Sequence, residues 1–356
     1  MDLDRLERNI ASMAAYAAEH HLALRPHIKT HKSTRVAAAQ LAKGAAGLTC
    51  ATPAEAAAMS AVGTDILLAY PPVGPKLTRL MALPEPVRLT VALDSAPAIE
   101  GLAAAARAAG RAVRVYIELD VGMHRVGVTA WDAAIFLARL VRDRPPLEYA
   151  GIAFYPGHIR ESTDSQDAKL SALSHAVSSA VRVLEDAGVA PEVVSGGSTP
   201  TMWRTHDVAG VTELRPGTYV YNDRGTADIG ACAWDDCAFS VLATVVSTSV
   251  RNQAVIDAGA KALGREPMRG TDGEGFGALL DRPDVVVSRM SEEHGILDLS
   301  RSSWRPQVGE QVRVVPNHVC IVVHLNDLIY GVRNGRVERS WPVDARGRSH
   351  PSVGGH

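Results

Sequence analysis

Short apolar runs rich in β-forming residues alternate with alanine-rich segments along the first two thirds of the chain. The predicted strands are 22–28, 47–50, 66–69, 88–93, 113–119, 148–154, 192–194 and 211–214. The predicted helices include 53–61, 96–109, 131–141 and 165–187, several of which open on Ser, Thr or Pro as helices do. Eight strand–helix units over about 200 residues are typical of a (β/α)8 barrel, so we predict an α/β fold of this TIM type.

The pattern changes after residue 225. The apolar runs at 238–250, 254–257, 284–288, 311–315 and 328–332 are separated by Gly and Pro turns and show little helical periodicity. Such runs are typical of antiparallel strands. We therefore predict two domains, a (β/α)8 TIM-type barrel at 1–227 followed by a smaller, mainly antiparallel β domain at 228–356.

Composition narrows the class of protein. An apolar content of 46% with 21% charged residues describes a globular chain with a large core. A formal net charge of -2 gives no basic field, which argues against a nucleic-acid partner, and no apolar run reaches the roughly 18 residues of a membrane span. The acidic N-terminal segment argues against a signal peptide, and four scattered cysteines without a CxxC pair fit a reducing cytoplasm.

Two lysines and two histidines crowd the end of the first predicted strand, in the segment RPHIKTHK at 25–32. The carboxyl ends of barrel strands are where this fold places its chemistry. A lysine among other cations at that position has the profile of an amine nucleophile that forms a Schiff base, and Lys29 is the candidate. The alternative is a solvated basic turn.

The loops after the seventh and eighth strands have the composition of a phosphate site. The segment SGGSTPT at 195–201 combines small residues, which permit close backbone approach, with hydroxyl donors, and Gly217 and Thr218 follow the eighth strand. Barrels commonly bind phosphate after these two strands. A phosphate anchor that faces a lysine predicts pyridoxal 5'-phosphate as the cofactor.

Arg215 follows the eighth strand and is a candidate partner for the pyridine nitrogen of that cofactor. An arginine cannot hand over its proton at neutral pH, so it would leave the ring a weaker electron sink than an aspartate would. The alternative for Arg215 is a surface salt bridge with Glu213 or Asp223.

His318 and Cys320 form the one candidate metal pair of the second domain. They come at the end of an apolar run that we predict as a strand, where a spacing of two puts both side chains on one face. An imidazole and a thiolate favour zinc over magnesium and leave coordination positions open for water and substrate. The alternative is a purely structural pair.

Taken together, these motifs resemble the fold-type III pyridoxal-phosphate enzymes of the D-threonine aldolase and metal-dependent D-serine dehydratase family, which share their barrel with alanine racemase. The matching segments are PHIKTHK at 26–32, DVGMHRVG at 120–127, YPGH at 155–158, SGGSTPT at 195–201, ELRPGTY at 213–219, DAGAKAL at 257–263, SEEHG at 291–295 and PNHVC at 316–320. They cover nearly the whole chain.

The resemblance implies a role for each matching residue. Lys29 would bear the cofactor, Arg125 would lie near its phenolic oxygen and the substrate carboxylate, and Arg215 would face the pyridine nitrogen. Tyr155 and His158 would line the pocket and complete the catalytic set with Lys29. The cofactor's phosphate end would be surrounded by Ser195, Gly196, Gly197, Ser198, Thr199, Gly217, Thr218 and Tyr219. His318 and Cys320 would hold a divalent ion, zinc by preference or else manganese or cobalt, and the active site would form at a homodimer interface.

Three features bear on the branch of the family. The chain starts later than most relatives, and His324 stands where many members have asparagine. D-Threonine aldolases commonly carry His-x-Asp at the metal, whereas His-x-Cys resembles the dehydratase branch. The resemblance thus implies a lyase of D-3-hydroxy amino acids, and we favour a dehydratase of the D-serine, D-threonine or 3-hydroxyaspartate type that gives a 2-oxo acid and ammonia.

Other functions stay open at this point. Retro-aldol cleavage to glycine and an aldehyde requires only that a base such as His158 take the hydroxyl proton of the substrate. A racemase would need a second base on the opposite face of the cofactor, for which the sequence shows no motif. A non-catalytic pyridoxal-phosphate carrier would have no use for the second domain or its metal pair.

Overall fold

The fold is that of a computed structural model, which describes residues 1–268 and 275–347. The chain divides into two compact units. The barrel unit contains Ala11–Ile159 and Ser165–Gly217, and the β unit contains Met1–Ile10, Arg160–Asp164 and Thr218–Arg346. The division that the sequence suggests at residue 227 stays a prediction.

Eight parallel strands build the barrel unit, as predicted. They are β1 (Ala23–Leu24), β2 (Leu48–Cys50), β3 (Asp65–Leu68), β4 (Arg88–Leu93), β5 (Val113–Leu119), β6 (Leu147–Phe154), β7 (Val193–Gly196) and β8 (Glu213–Leu214). The order β1-β8-β7-β6-β5-β4-β3-β2 is that of a barrel, and a parallel bridge between His27 and Thr49 joins the two edge strands. The α/β barrel prediction is confirmed.

Helices alternate with these strands. They are α1 (Leu3–Glu19), α2 (Thr34–Ala42), α3 (Pro53–Met59), α4 (Pro75–Met81), α5 (Ala96–Ala109), α6 (Trp131–Arg142) and α7 (Asp167–Asp186). Local chemistry explains where they begin: the Thr52 hydroxyl accepts a hydrogen bond from Glu55 N at 3.1 Å, and Pro53 occupies the first turn of α3. In α5, Ile99, Leu102 and Ala106 recur every three or four residues and are fully buried, which packs this face of the helix.

The barrel unit buries charge as well as apolar side chains. Arg25 donates from Nε to Glu213 at 2.6 Å and from Nη1 to Asp65 at 2.7 Å. The side chains of Arg25 and Glu213 are 4% and 3% exposed, so the pair is shielded from water. Gly47 permits this arrangement, because a Cβ at that residue would lie 2.2 Å from Arg25 Nη1.

The β unit contains a closed antiparallel barrel. Its strands are β9 (Val241–Ser247), β10 (Gln253–Ile256), β11 (Gly277–Leu279), β12 (Arg282–Met290), β13 (Gly295–Asp298) and β14 (Gln311–Pro316), in the order β10-β13-β12-β11-β14-β9. A hairpin of β15 (Leu328–Arg333) and β16 (Arg336–Pro342) lies outside the barrel. Three short helices complete the unit, α8 (Arg224–Asp228), α9 (Ala260–Leu263) and α10 (Val319–Leu325). The antiparallel prediction is confirmed.

Some elements are shorter than their patterns suggest. The run at 22–28 forms a regular strand only at Ala23–Leu24, because Pro26 has no N–H to continue the ladder, although its carbonyl accepts from Thr49 N at 2.8 Å. β11, β13 and β16 were not predicted. Within residues 1–268 and 275–347, no helix is long and apolar enough to cross a membrane.

Candidate active site

Lys29 lies just beyond β1, in a single 3-10 turn at Ile28–Thr30, rather than in the strand itself. His27 caps this turn, since its Nδ1 accepts a hydrogen bond from Lys29 N at 3.5 Å. The amine extends toward an aromatic ring: Lys29 Nζ lies 5.6 Å from the centre of the Tyr155 ring. The turn therefore presents the amine at the carboxyl end of the strands, where this fold places its chemistry.

The structure distinguishes Lys29 from its neighbour Lys32. Lys32 pairs with the buried carboxylate of Glu55, whose other oxygen accepts from Ala51 N at 2.6 Å. Within the described residues, no carboxylate or other hydrogen-bond acceptor contacts the Lys29 amine. The Lys32 amine is thus occupied by a carboxylate, and the Lys29 amine is the one left available for covalent chemistry.

The Tyr155 ring lies next to two other predicted site residues, Lys29 and Arg125. The guanidinium carbon of Arg125 lies 4.8 Å from the Tyr155 ring centre, so this ring contacts both Arg125 and Lys29. His158 lies against Gly122, where a Cβ would come within 3.1 Å of the imidazole Cε1. The cleft here is lined by Glu118, Leu119, Asp120, Met123, Arg125, Val126 and Tyr155.

Arg215 is buried rather than on the surface, with 7% of its area exposed. Its Nη2 donates to Phe154 O at 2.7 Å and to Ser195 O at 3.3 Å, both of them backbone carbonyls. The salt bridge considered as an alternative does not form, since Glu213 pairs with Arg25 and the Asp223 carboxylate with His318. Arg215 Nε is buried and has no hydrogen-bond partner within the described residues. A buried N–H without an acceptor fits the ring nitrogen of pyridoxal phosphate, which accepts one.

His27 is neutral in this setting. Burial, and after it the positive charges of Lys29 and Arg215, holds the pKa of His27 well below its ordinary 6.5. An uncharged imidazole can accept the backbone bond of the Lys29 turn without adding to the local positive charge. The sequence did not single out this role, because a histidine inside a basic cluster gives no sign of its protonation state.

The predicted phosphate loop has the tight geometry that its composition suggests. Gly197 adopts a φ of +89°, and a Cβ there would lie 2.6 Å from the Leu214 side chain. Gly217 N donates to Thr199 Oγ1 at 3.3 Å, which ties the loops after β7 and β8 together. The Ser198 hydroxyl lies 3.0 Å from that of Thr201. A cradle of glycines and hydroxyls fits a phosphate group.

Three of the predicted cofactor residues have other surroundings. The fully buried Ser195 hydroxyl donates to Glu213 Oε1 at 2.6 Å, which supports the Arg25 ion pair. Thr218 and Tyr219 belong to the β unit, where they form a 3-10 turn at Thr218–Val220. Their roles toward the cofactor stay predictions.

The metal pair is not on a strand. β14 ends at Pro316, His318 is the N-cap of α10, and Cys320 lies in its first turn. The prediction that His318 and Cys320 share one face of a strand is therefore wrong, and the pair comes together because the chain turns from strand into helix. Burial alone would lower the pKa of His318, but the negative charges of Cys320 and Asp223 raise it to about 11. The same negative charges favour a cation at this position, and an imidazole that gives up its proton beside a thiolate is a suitable donor set for zinc.

Asp223 supports this pair and was missed as a site residue. Its Oδ2 lies 3.0 Å from His318 Nδ1 and accepts from Val319 N at 3.0 Å. The contact at Nδ1 leaves the other ring nitrogen of His318 to bind a metal. Histidines that bind metals commonly donate their other ring N–H to a carboxylate in this way. No sequence pattern separates this role from ordinary helix capping, because Asp223 also caps α8 by accepting from Thr226 N at 2.8 Å.

The described residues fit the two implied groups to different extents. Lys29, the unpaired Arg215 Nε and the glycine cradle together fit pyridoxal phosphate. For a metal, no three His, Cys, Asp or Glu side chains are grouped to hold an ion in residues 1–268 and 275–347. His318 and Cys320 are two donors, one fewer than the three protein ligands usual for a catalytic zinc, and their role toward an ion stays a prediction.

Comparison with known proteins places the chain in a family. Residues 1–225 match the family model "Alanine racemase, N-terminal domain" and residues 238–332 match "Putative serine dehydratase domain". The chain is 33% identical to D-threonine aldolase of Arthrobacter sp over 98% of its length and 92% of the relative. It is 37% identical to D-threo-3-hydroxyaspartate dehydratase of Delftia sp. (strain HT23) over 90% of its length and 89% of the relative.

Solved structures give the same result. D-Threonine aldolase from Filomicrobium marinum superposes with a TM-score of 0.90 at 33% identity, over 98% of this chain and 95% of that one. A histidine-to-alanine variant of the D-threo-3-hydroxyaspartate dehydratase superposes with a TM-score of 0.89 at 32% identity, over 96% of this chain and 93% of that one. Its cysteine-to-alanine variant, in the metal-free form, has a TM-score of 0.86 at 33% identity over 96% and 95%.

These matches extend over both units of the chain. The resemblance inferred from the motifs is confirmed, as is the assignment to an enzyme class. The chain belongs to the alanine racemase-like family of fold-type III pyridoxal-phosphate enzymes, in the lyase group of D-threonine aldolase and D-threo-3-hydroxyaspartate dehydratase.

Proposed function

We propose that this protein is a pyridoxal-phosphate- and divalent-metal-dependent lyase of D-3-hydroxy amino acids, and that it acts as a dehydratase giving a 2-oxo acid and ammonia. The observation that carries this proposal is the pairing of His318 and Cys320 at the start of α10, with Asp223 on the imidazole. A thiolate donor is the feature that resembles the dehydratase branch.

The Delftia dehydratase supports the assignment of the metal pair. The histidine and the cysteine replaced in the two dehydratase variants are two positions apart, as His318 and Cys320 are, and the structure of the cysteine variant is of the metal-free form. We assign the corresponding donors of this chain to one ion, with zinc favoured by the Cys/His set. The ion would act as a Lewis acid that weakens the bond between the substrate's Cβ and its hydroxyl.

Each barrel residue has a task that its geometry supports. The cofactor, when bound, would supply an aldehyde for the amine and an electron sink for the charge that develops at Cα. Lys29 would take up the α-proton once its amine is released, and Arg125 would hold the substrate carboxylate beside the Tyr155 ring. Arg215 would donate to the ring nitrogen without protonating it, since guanidinium keeps its protons.

Retro-aldol cleavage is the second candidate, because the D-threonine aldolases of Arthrobacter and Filomicrobium are as similar as the dehydratase. His158 would then take the hydroxyl proton, and the bond between Cα and Cβ would break to give glycine and an aldehyde. His158 lies beside Gly122, in the loop that follows β5. Both reactions use one set of residues and differ in the bond that breaks.

Product analysis separates these functions. The protein, loaded with pyridoxal phosphate and zinc, is incubated with D-serine, D-threonine and D-threo-3-hydroxyaspartate. A 2-oxo acid with ammonia supports the dehydratase, and glycine with an aldehyde shows the aldolase instead. Appearance of the L-enantiomer at a rate unaffected by a chelator would identify a racemase.

A matched pair of variants tests the assignment of the cofactor lysine. Lys29→Ala should abolish the absorbance band of the bound cofactor and all turnover, while Lys32→Ala, which breaks the pair with Glu55, should keep the band. Loss of the band in Lys32→Ala alone would overturn the assignment.

We further propose that the protein works as a homodimer in the cytoplasm on a small-molecule D-amino acid. The support is the family resemblance, in which the active site forms at a dimer interface. Sedimentation velocity at micromolar concentration measures the oligomeric state. A monomer with full activity would contradict the interface assignment.

A further inference from the structure

One buried carboxyl group in the barrel unit has no part in the proposed mechanism. Glu118 lies on β5, two residues after Tyr116, so both side chains point to the same side of the sheet. Tyr116 belongs to a buried cluster with Ala92 of the neighbouring strand β4 and Leu67 of β3 beyond it. Glu118 is 6% exposed and lines the cleft beside Arg125 and Tyr155.

The strand register brings Glu118 close to Arg215. Glu118 pairs with Ala153 on β6, and the next residue, Phe154, supplies the carbonyl that accepts from Arg215. Burial raises the pKa of Glu118, and the positive charges of Arg215 and Arg125 oppose that rise. The Asp94 carboxylate, which follows β4, adds to it. Among the described residues, the other charged and titratable side chains at this end include Lys29, the neutral His27, Tyr155, His158 and Asp120, which lines the same cleft.

Glu118 and Arg215 each have an atom without a partner. Glu118 Oε2 and Arg215 Nε are both buried and make no hydrogen bond within the described residues. A buried polar atom left unsatisfied destabilises a fold, so a carboxylate is a poor choice where packing alone is needed. The position of Glu118 is therefore better explained by its charge than by its volume.

We propose that Glu118 is a positioning residue that acts through Arg215, balancing its positive charge at the ring-nitrogen end of the cofactor site. This inference rests on the proposed pyridoxal-phosphate function. The Glu118 carboxylate offsets one of the two guanidinium charges that face the cleft. At neutral pH it thereby favours the form of the bound cofactor that carries a proton on the Lys29 nitrogen, not on the ring nitrogen.

The test is a pH titration of the absorbance band of the bound cofactor in the holoenzyme. In Glu118→Gln, which keeps the shape and removes the charge, the midpoint should fall by about one pH unit, because an uncompensated Arg215 favours loss of the cofactor's proton. Glu118→Asp shortens the side chain by one methylene, which moves the carboxylate away from Arg215, and it should lower the midpoint by a smaller amount. Tyr116→Phe is the matched control, since it removes a buried, unpartnered hydroxyl from the same strand without changing charge.

The outcomes decide between charge and packing. Midpoints in the order wild type, Asp, Gln, with Tyr116→Phe unchanged, support the proposal. An unchanged midpoint in a folded Glu118→Gln, or equal shifts in Asp and Gln, would overturn it. If Glu118→Gln does not fold, an unchanged midpoint in Glu118→Asp overturns the proposal and a downward shift supports it. Absence of a cofactor band in the wild type would overturn the proposed function and this inference together.

Discussion

Substitution of Asp223 by Asn offers a sharp test of the metal assignment. The Asp223 carboxylate uses both oxygens: Oδ1 accepts from Thr226 N at 2.8 Å and from Thr226 Oγ1 at 2.6 Å. Oδ2 accepts from Val319 N at 3.0 Å and contacts His318 Nδ1 at 3.0 Å. An amide fills the same volume but carries one acceptor instead of two, so one of these two groups of donors must face an NH2.

The two orientations of the amide predict the size of the effect. If the NH2 faces His318, the imidazole accepts at Nδ1 and carries its proton on the nitrogen that would bind the metal. If the NH2 faces Thr226, a buried backbone N–H loses its acceptor, which costs about 1–3 kcal/mol. Loss of such a supporting carboxylate typically lowers metal affinity by about 10- to 100-fold, or roughly 1.4–2.7 kcal/mol.

The assay is a zinc titration in competition with a chromophoric chelator, run on the wild type, Asp223→Asn and Asp228→Asn. Asp228 is the last residue of α8, the helix that Asp223 caps, and it is exposed, so its substitution controls for the change in net charge. We expect the affinity of Asp228→Asn to match the wild type. A folded Asp223→Asn that binds zinc as tightly as the wild type would refute the idea that Asp223 orients His318.

Three further predictions follow from the described contacts. Removal of the metal with a chelator should abolish turnover but leave the cofactor's absorbance band, with activity and absorbance measured on the same sample. Glu213→Gln leaves the buried Arg25 with Asp65 as its remaining carboxylate partner and should lower the free energy of unfolding, measured by urea denaturation, by about 1.5–3 kcal/mol. Burial would raise the pKa of Asp65, but Arg25 and Arg88 outweigh it and hold that pKa below its ordinary 3.8. The ionised Asp65 therefore stabilises the fold above pH 3.8, and this stabilisation is lost as the pH falls through its lowered pKa. Asp65→Asn should make the free energy of unfolding less dependent on pH in the acid range.

Periodicity was sufficient to predict the fold class because both strand types leave clear patterns. Parallel strands buried on two faces read as short apolar runs, and β4, β5 and β6 were predicted within one residue of their observed ends. The missed strands had weaker patterns. β11 has only three residues and begins with Gly277, and β16 is exposed at six of its seven positions, so neither shows a buried face in the sequence.

The site could be predicted in its residues but not in its local structure. Lys29, Arg215 and the loop at 195–201 follow predicted strands, which made their convergence an expected property of a barrel. The helix after β14 was not expected, because the apolar run continues through Val319 and Ile321 into α10 without a break in hydrophobicity. Polar partners across the fold, such as Asp223 for His318, depend on tertiary contacts that no local pattern encodes.

Asp223 links metal binding to the stability of the β unit. One of its oxygens caps α8, and the other accepts from Val319 N, the first residue of α10. Burial would raise the pKa of Asp223, but the hydrogen bond and charge of His318, followed by the donors of Thr226 and Val319 at the two helix N-termini, hold it below its ordinary 3.8, so a side chain only 2% exposed stays ionised. Because the same carboxylate holds His318, an ion bound there would stabilise the cap as well as the site. Metal loading should therefore raise the stability of the β unit by mass action, and the geometry of the metal pair is fixed by the helix ends rather than by a strand.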